Sequence, residues 1–187
     1  MQLQLLTCAR IGEVMGAEWS EIDLDAQTWL QPAAKTKNGD AHLVMLPTQA
    51  VALLRAAEEA QKDNPSPLVF PQLRDRKKPV STARVQEALI NAREEHGINP
   101  EFTTHIIRKA CLTWLAEQGC NEDLRNRVSN HRPSNPIDAI YTAASLNGPA
   151  REWIQKWADH LDGLAGGNVV ELSERKAGER KAGEVVG

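Results

Sequence analysis

One tyrosine and a spaced series of basic residues are the side chains of this chain that could do chemistry. Tyr141 is the single tyrosine, and it follows His131 by ten residues. Upstream, His105 and Arg108 stand three residues apart, a spacing that places both on one face of a helix. Near the N-terminus, Arg10 and Glu13 have the same spacing. The set combines a hydroxyl nucleophile with guanidinium and imidazole groups.

These residue types suit transesterification of a phosphodiester. Such a reaction needs a nucleophile, stabilisation of the charge that develops on the phosphate, and a proton donor for the departing sugar oxygen. The guanidinium forks of Arg10 and Arg108 match the non-bridging phosphate oxygens and stay charged. Histidine titrates near neutral pH, so His105 and His131 are candidates for phosphate hydrogen bonding and for acid/base work.

Composition bounds the class of protein. A chain of 187 residues with 41% hydrophobic residues suits one globular domain. No apolar run approaches the roughly 18 residues of a spanning helix, and residues 1–10 lack the pattern of a signal peptide, so we expect a cytoplasmic protein. Cys8, Cys111 and Cys120 form no C-x-x-C pair, which predicts three free thiols and no zinc site. Phosphate-loop, metalloprotease and serine-hydrolase motifs are missing from the sequence.

The overall charge argues against a nucleic-acid partner, whereas one local cluster is compatible with it. Lys and Arg number 22 against 25 Asp and Glu, which gives a net charge of −3 and a pI of about 6.0. Most proteins that bind nucleic acid carry a basic excess. The densest basic run contains Arg74, Arg76, Lys77 and Lys78. It fits either contacts to a DNA backbone or a solvated loop.

The apolar pattern predicts a mostly helical chain with a small antiparallel hairpin. A helix is predicted from Thr7 to Ala17, and strand-like runs follow at 28–31 and 42–46. Asn38-Gly39 between the two runs is a strong hairpin signal. Capping and stop residues then predict helices at about 48–62, 81–96, 104–118, 121–128, 135–144 and 149–164.

The last part of the chain differs in composition. The sequence E-R-K-A-G at 174–178 is repeated at 179–183, a low-complexity stretch with few groups to bury. We therefore predict one domain over residues 1–164 and a tail over residues 165–187, either disordered or a frayed extension of the last helix.

The ordered series of residues resembles the catalytic domain of the tyrosine recombinases, in particular the prophage integrases. That family carries an arginine in an R-x-G-E context, a lysine in a β-hairpin, H-x-x-R, a later histidine and then tyrosine. The stretch 104–116, the pair Asn130-His131 and the stretch 157–162 also fit the family. The resemblance covers about residues 3–164. It implies a mostly α fold with a small antiparallel β-hairpin or sheet, the catalytic-domain fold of these DNA breaking-rejoining enzymes.

The resemblance also implies a role for each site residue. Tyr141 would attack the phosphorus and form a 3′-phosphotyrosine link, with no metal or other cofactor. Lys37 would protonate the leaving 5′ oxygen, with Lys35 as the other candidate. The remaining residues would bind the phosphate or move protons, namely Arg10, Arg108, His105 and His131, while Glu13 would orient a catalytic arginine.

The same resemblance implies partners and a location. Prophage integrases recombine double-stranded DNA attachment sites as a homotetramer on DNA, in the bacterial cytoplasm at the nucleoid, without a membrane. Only nine residues precede Arg10 here, whereas family members carry an N-terminal core-binding domain. We therefore expect an N-terminally truncated catalytic domain that by itself recombines poorly or not at all.

Three other interpretations remain at this point. A type IB topoisomerase would use the same chemistry, although the short hairpin region and the closing helix favour an integrase. A non-catalytic integrase remnant would act at most as a weak DNA-binding or protein-binding module. An unrelated, mostly helical domain would carry the series of residues by coincidence.

Overall fold

The computed structural model describes residues 1–131 and 145–182, with side chains up to residue 166. The helices are α1 (Gln2–Thr7), α2 (Ile11–Met15), α3 (Thr48–Glu59), α4 (Thr82–His96), α5 (Thr104–Glu117), α6 (Glu122–Ser129) and α7 (Asn147–Ala182). The strands are β1 (Ile22–Asp23), β2 (Thr28–Gln31) and β3 (His42–Met45). The predicted class, mostly α with a small antiparallel sheet, is confirmed.

The N-terminal segment is divided into two helices, so the prediction of one helix from Thr7 to Ala17 is wrong. Helix α1 ends at Cys8, whose φ of 58° is left-handed, and α2 begins after an extended Arg10. The carboxylate of Glu13 accepts the backbone N–H of Arg10 at 2.9 Å, which completes a capping box. Arg10 therefore stands at the start of a helix and not in the middle of one.

The predicted hairpin is confirmed, with a long connection. Strands β2 and β3 pair antiparallel, with Trp29 opposite Val44, and β1 adds to the other edge of β2. Both of these side chains are buried in the core. Residues 32–41 form the connection, which contains a 3-10 helix at Ala33–Lys35 and a left-handed Gly39 with a φ of 73°. The glycine is required there because other residues adopt this φ only with strain.

Side-chain caps set the beginnings of the later helices, close to where the sequence predicts them. The oxygens of Ser81, Thr103 and Asn121 accept backbone N–H groups in the first turns of α4, α5 and α6, at 3.3, 3.2 and 2.9 Å. Gly97 ends α4 in the left-handed conformation. These caps fix where α5 and α6 begin; the candidate site residues His105 and Arg108 lie on α5, and His131 follows the end of α6.

Two apolar clusters form the core, and α1 contributes to both. The first cluster lies around the sheet and α3, with Leu3, Trp29, Leu46 and Leu54 among its buried members. The second lies among α5, α6 and α7, with Cys8, Leu115, Ile154 and Trp157. The indole N–H of Trp157 donates to the carbonyl of Leu5 at 2.7 Å and ties α7 to α1. The segment that follows α1 is consequently held between the two clusters. All three cysteines are free, as predicted, and they are buried.

The last helix is longer than the sequence indicates. The sequence predicts it at about 149–164, whereas α7 extends to Ala182, into the residues that the sequence predicts to be either disordered or an extension of this helix. The boundary between a catalytic domain ending at residue 164 and a tail stays a prediction. The helix predicted at 135–144 lies outside the described residues. No helix in the described part of the chain has the length and apolar character needed to cross a membrane.

We expect Leu115→Ala to lower the free energy of unfolding by about 2–5 kcal/mol, because the residue is fully buried and its truncation leaves a cavity. Leu73→Ala is the control, since Leu73 is 96% exposed, and it should change stability by less than about 0.5 kcal/mol. Chemical denaturation of the two variants and the parent chain measures both effects. Equal stability of the two variants would contradict the position of Leu115 in the core.

Candidate active site

Arg108 lies at the junction of three segments that carry candidate site residues. It is on α5 and is only 6% exposed. Its Nη1 donates to the carbonyl of Cys8 at 2.6 Å, and its Nη2 donates to the carbonyl of Ser129. Cys8 precedes Arg10 by two residues, and Ser129 precedes His131 by two. One buried guanidinium therefore holds the Arg10 and His131 segments against α5.

The guanidinium of Arg108 keeps both its charge and part of its hydrogen-bonding capacity. Burial lowers the pKa of Arg108, and the positive charge of Arg10 lowers it further. The ordinary pKa of an arginine side chain is so high that the group stays protonated in proteins. A guanidinium has five N–H donors, and the two carbonyl bonds engage two of them. The remaining donors and the charge are suited to a phosphate.

Arg10 is fixed by Glu13. Its Nη1 lies 2.8 Å from Glu13 Oε1 in an ion pair whose acidic partner is 6% exposed and whose basic partner is 24% exposed. The other carboxylate oxygen accepts the backbone N–H of Arg10. One carboxylate thus restrains both the main chain and the side chain of Arg10. This geometry is what the predicted orienting role of Glu13 requires.

His131 directly follows the C-terminal end of α6. Asn130 adopts a left-handed φ of 50°, and the backbone N–H of His131 donates to the carbonyl of Asn126 at 3.0 Å. Burial lowers the pKa of His131, and the charges of Arg108 and Arg10 lower it further. The charges of both arginines thus act on this imidazole, which places the three residues in one electrostatic environment.

His105 lies in the first turn of α5, one turn before Arg108. Its side chain is exposed and forms no hydrogen bond or ion pair within the described part of the chain. The i, i+3 relation predicted from the sequence is present because α5 begins at Thr104. An exposed imidazole beside the arginine is accessible to a ligand.

The hairpin connection reaches the same region through Asn38. The side-chain amide of Asn38 donates to the carbonyl of Asn130, the residue before His131. Lys37 is adjacent in the connection, is exposed, and makes no hydrogen bond or ion pair with the residues described. The structure thus brings the segments of Arg10, Lys37, His105, Arg108 and His131 together.

Lys35, the other candidate lysine, points into a different cluster. Its Nζ contacts Glu18 Oε1 at 2.6 Å and also pairs with Glu21, and it donates to the carbonyl of Gly16 at 3.1 Å. Burial alone would lower the pKa of Lys35, but the hydrogen bonds and charges of the two glutamates outweigh it and raise that pKa. A lysine that holds its proton more tightly is a poorer general acid.

The basic run lies on a separate loop. The loop is closed by a bridge between Pro71 and Pro79. Arg76 donates to Gln61 at 3.0 Å, and Lys78 pairs with Asp75 at 3.1 Å. Arg74 and Lys77 are exposed. None of the hydrogen bonds or ion pairs of residues 1–131 and 145–166 joins this loop to Arg108 or His131.

Tyr141, the candidate nucleophile, lies outside the described residues. Its place relative to the other site residues stays a prediction from the sequence.

Comparison with known proteins assigns the chain to a family. A family model described as the phage integrase family matches residues 1–147. The chain belongs to the phage integrase family, and so to the tyrosine recombinases. Prophage integrase IntA of Escherichia coli (strain K12) is 29% identical over 167 residues, which make up 89% of this chain and 39% of IntA. The chain thus spans about two fifths of that relative. The family assignment decides against an unrelated helical domain.

Solved tyrosine recombinases share the fold. The crystal structure of XerA recombinase superposes with a TM-score of 0.60 and 17% identity, covering 84% of this chain and 55% of XerA. XerH site-specific recombinase bound to difH substrate gives a TM-score of 0.60 and 18% identity, and the superposition covers 81% of this chain and 45% of XerH. At these identities the likeness shows the fold, which is that of a tyrosine recombinase catalytic domain.

Sequence reasoning missed the polar residues that join the segments of this phage integrase family member. The sequence marks Asn38 only as a turn residue and His42 only as part of a strand. Arg127 lies four residues before His131, which was the one available signal. Their partners are 20 residues away for the contact of Arg127 with Asn147 and 84 to 92 residues away for the others, so no local spacing indicates the contacts.

His42 is a buried, neutral histidine beside this site. It is 7% exposed, and its Nδ1 lies 3.1 Å from Nη1 of Arg127. Arginine only donates, so Nδ1 must accept. Burial lowers the pKa of His42 to about 3, and the charges of Arg127 and Arg108 contribute. A hydrogen bond to the backbone of Val128 opposes that shift.

We expect the folded state to lose stability as the pH falls from about 6.5 toward 3, because the unfolded imidazole binds a proton there and the folded one does not. The loss amounts to at most about 1.4 kcal/mol per pH unit. His42→Asn removes the titrating group and should flatten this part of the dependence, as measured by denaturation at a series of pH values. His96→Asn on the exposed end of α4 is the control and should keep the parent slope. Equal slopes for the His42 variant and the parent would refute the assignment.

Proposed function

We propose that this chain is the catalytic part of a site-specific DNA recombinase that cleaves and rejoins DNA through Tyr141. The tyrosine hydroxyl attacks the phosphorus, the bond to the 5′ oxygen breaks, and a 3′-phosphotyrosine link preserves the bond for rejoining. The observation that carries the proposal is the set of hydrogen bonds that joins the Arg10, Lys37, Arg108 and His131 segments. These segments carry the charges and donors that a phosphate in transfer needs.

The proposed division of labour follows from the contacts. Arg10 and Arg108 hold the non-bridging oxygens of the phosphate, with Arg10 restrained by Glu13. His105 and His131 donate hydrogen bonds to the phosphate and exchange protons with the reacting groups. A lowered pKa favours the neutral form of His131, which has both a donor and an acceptor nitrogen.

Lys37 is the proposed general acid for the leaving 5′ oxygen. Its neighbour Asn38 is bonded to the residue before His131, whereas Lys35 is engaged by two glutamates. These contacts support Lys37 over Lys35 as the lysine available to the substrate.

Double-stranded DNA is the proposed partner. The XerH structure in the same fold contains its difH substrate. Arg74 and Lys77 are exposed on their loop and are proposed to contact the DNA backbone beside Arg76 and Lys78. A local group of cations attracts phosphate even when the net charge is −3. By analogy with its family, the active assembly is a homotetramer on two duplexes.

A non-catalytic remnant is the second candidate function. Such a remnant of a prophage integrase would act at most as a weak DNA-binding or protein-binding module.

We expect Tyr141→Phe to abolish covalent attachment to DNA, because phenylalanine lacks the attacking hydroxyl. The assay uses nicked duplexes with randomised sequence around the nick, so that the cleaved fragment diffuses away and the adduct accumulates. Protein-linked DNA is then counted after denaturation in detergent. The variant should retain the parent's thermal stability and DNA affinity, which serve as controls. An adduct that persists in the variant contradicts the role of Tyr141, and a parent that forms none supports the remnant.

We expect Lys37→Ala to slow cleavage by about 10²- to 10⁴-fold, the usual contribution of a general acid. A duplex with sulfur in place of the bridging 5′ oxygen should restore the rate, because a thiolate leaves without a proton. Lys35→Ala is the matched control in the same hairpin. It should lower stability through the lost ion pairs and show no selective rescue by sulfur. If sulfur restored the rate of the Lys35 variant and not that of the Lys37 variant, Lys35 would be the general acid and Lys37 would not.

A further inference from the structure

Arg127 makes contacts that the proposed mechanism does not use. It lies in the last turn of α6, four residues before His131, and is half-buried. Its Nε and Nη2 both donate to Oδ1 of Asn147, at 2.9 and 2.6 Å. Nη2 also donates to the carbonyl of Leu43 at 2.7 Å, and Nη1 lies 3.1 Å from Nδ1 of His42. One guanidinium thus joins α6, α7 and β3.

Arg127 and Asn147 lie on either side of one segment of the chain. Arg127 lies in the last turn of α6, five residues before the segment 132–144, and Asn147 is the first residue of α7, which follows that segment. Tyr141 belongs to this segment. The end of the helix before this segment and the start of the helix after it are therefore bonded to each other through two side chains.

We propose that Arg127 and Asn147 form a clamp that positions Tyr141 for attack by bonding the end of α6, which precedes it in the chain, to the start of α7, which follows it. Arg127 is a positioning residue in this proposal, since it acts through the chain and not on the phosphate. The inference rests on the proposed role of Tyr141 as nucleophile.

The contacts to β3 extend the clamp to the rest of the site. Strand β3 follows the connection that carries Lys37, and Arg127 bonds the first two residues of this strand. Arg108 separately bonds Ser129, two residues after Arg127. The end of α6 is thus held from two sides, which fixes its position relative to both Arg108 and the connection that carries Lys37.

The geometry requires a planar, forked donor. Arginine presents several N–H groups in a fixed plane, and here three of its nitrogens reach three different residues. A lysine ammonium at this place is a single point and cannot make all of these bonds. On the other side, the clamp requires only an acceptor oxygen at position 147, so Asp can replace Asn there while Ala cannot.

The test uses two substitutions at one position and two readouts. Asn147→Ala removes the acceptor, and Asn147→Asp keeps it. The chain has one tyrosine, so incorporation of fluorotyrosine gives a single fluorine NMR signal that reports on Tyr141 alone. The second readout is the rate of covalent DNA capture on the nicked randomised duplexes, at temperatures where each variant is folded.

We expect Asn147→Ala to shift or broaden the fluorine signal and to slow covalent capture roughly tenfold to a hundredfold, because misplacement by about 1 Å costs this much. Asn147→Asp should keep the parent signal and a rate within about twofold of the parent. Arg127→Gln is the second disrupting variant and should behave as Asn147→Ala does, which decides the question if one of them unfolds.

The outcomes separate the clamp from the proposed function. A parent-like fluorine signal in folded Asn147→Ala and Arg127→Gln overturns the clamp, whatever the DNA assay gives. Equal losses in Asn147→Ala and Asn147→Asp also overturn it, because the acceptor oxygen would then be irrelevant. If the parent chain forms no adduct while the two disrupting variants still change the signal, the clamp stands and the proposed cleavage activity fails.

Discussion

The buried guanidinium of Arg108 is the interaction on which the arrangement of this domain depends. Burying a cation is costly unless polar groups compensate it, and here main-chain carbonyls of Cys8 and Ser129 do so. Each of these carbonyls lies where a helix has ended and the chain turns, so the arginine also satisfies groups that helix ends leave free. Because both partners are main-chain atoms, the cation fixes the path of the chain rather than the conformation of another side chain.

This constraint explains the break between the first two helices. Cys8 adopts a left-handed conformation that a non-glycine residue takes only at some cost, and its carbonyl receives Arg108 as a result. Arg10 then begins the next helix, where Glu13 holds both its backbone and its guanidinium. The contacts of Cys8 with Arg108 and of Glu13 with Arg10 therefore have two effects. They hold the chain between the two apolar clusters, and they orient the two guanidinium groups.

A second guanidinium, that of Arg127, repeats the principle at the same C-terminal end of α6. It joins a helix end, a helix start and a strand, and its neighbour His42 stays neutral because it is buried and accepts a hydrogen bond from a cation. The hairpin connection is held in a similar way through Asn38. Long polar side chains therefore fix the relative positions of segments that are distant in the sequence.

The sequence by itself determined the family, the candidates for the site residues and most helix boundaries, because capping residues and apolar periodicity act over a few residues. It predicted that α5 presents His105 and Arg108 one turn apart, and that a hairpin carries the candidate lysines. Only the tertiary structure decided that the first helix breaks at Cys8, that Lys35 is taken up by Glu18 and Glu21, and that Asn38 and Arg127 connect the site. These outcomes depend on partners many residues away and on the burial of charge, which local spacing does not encode.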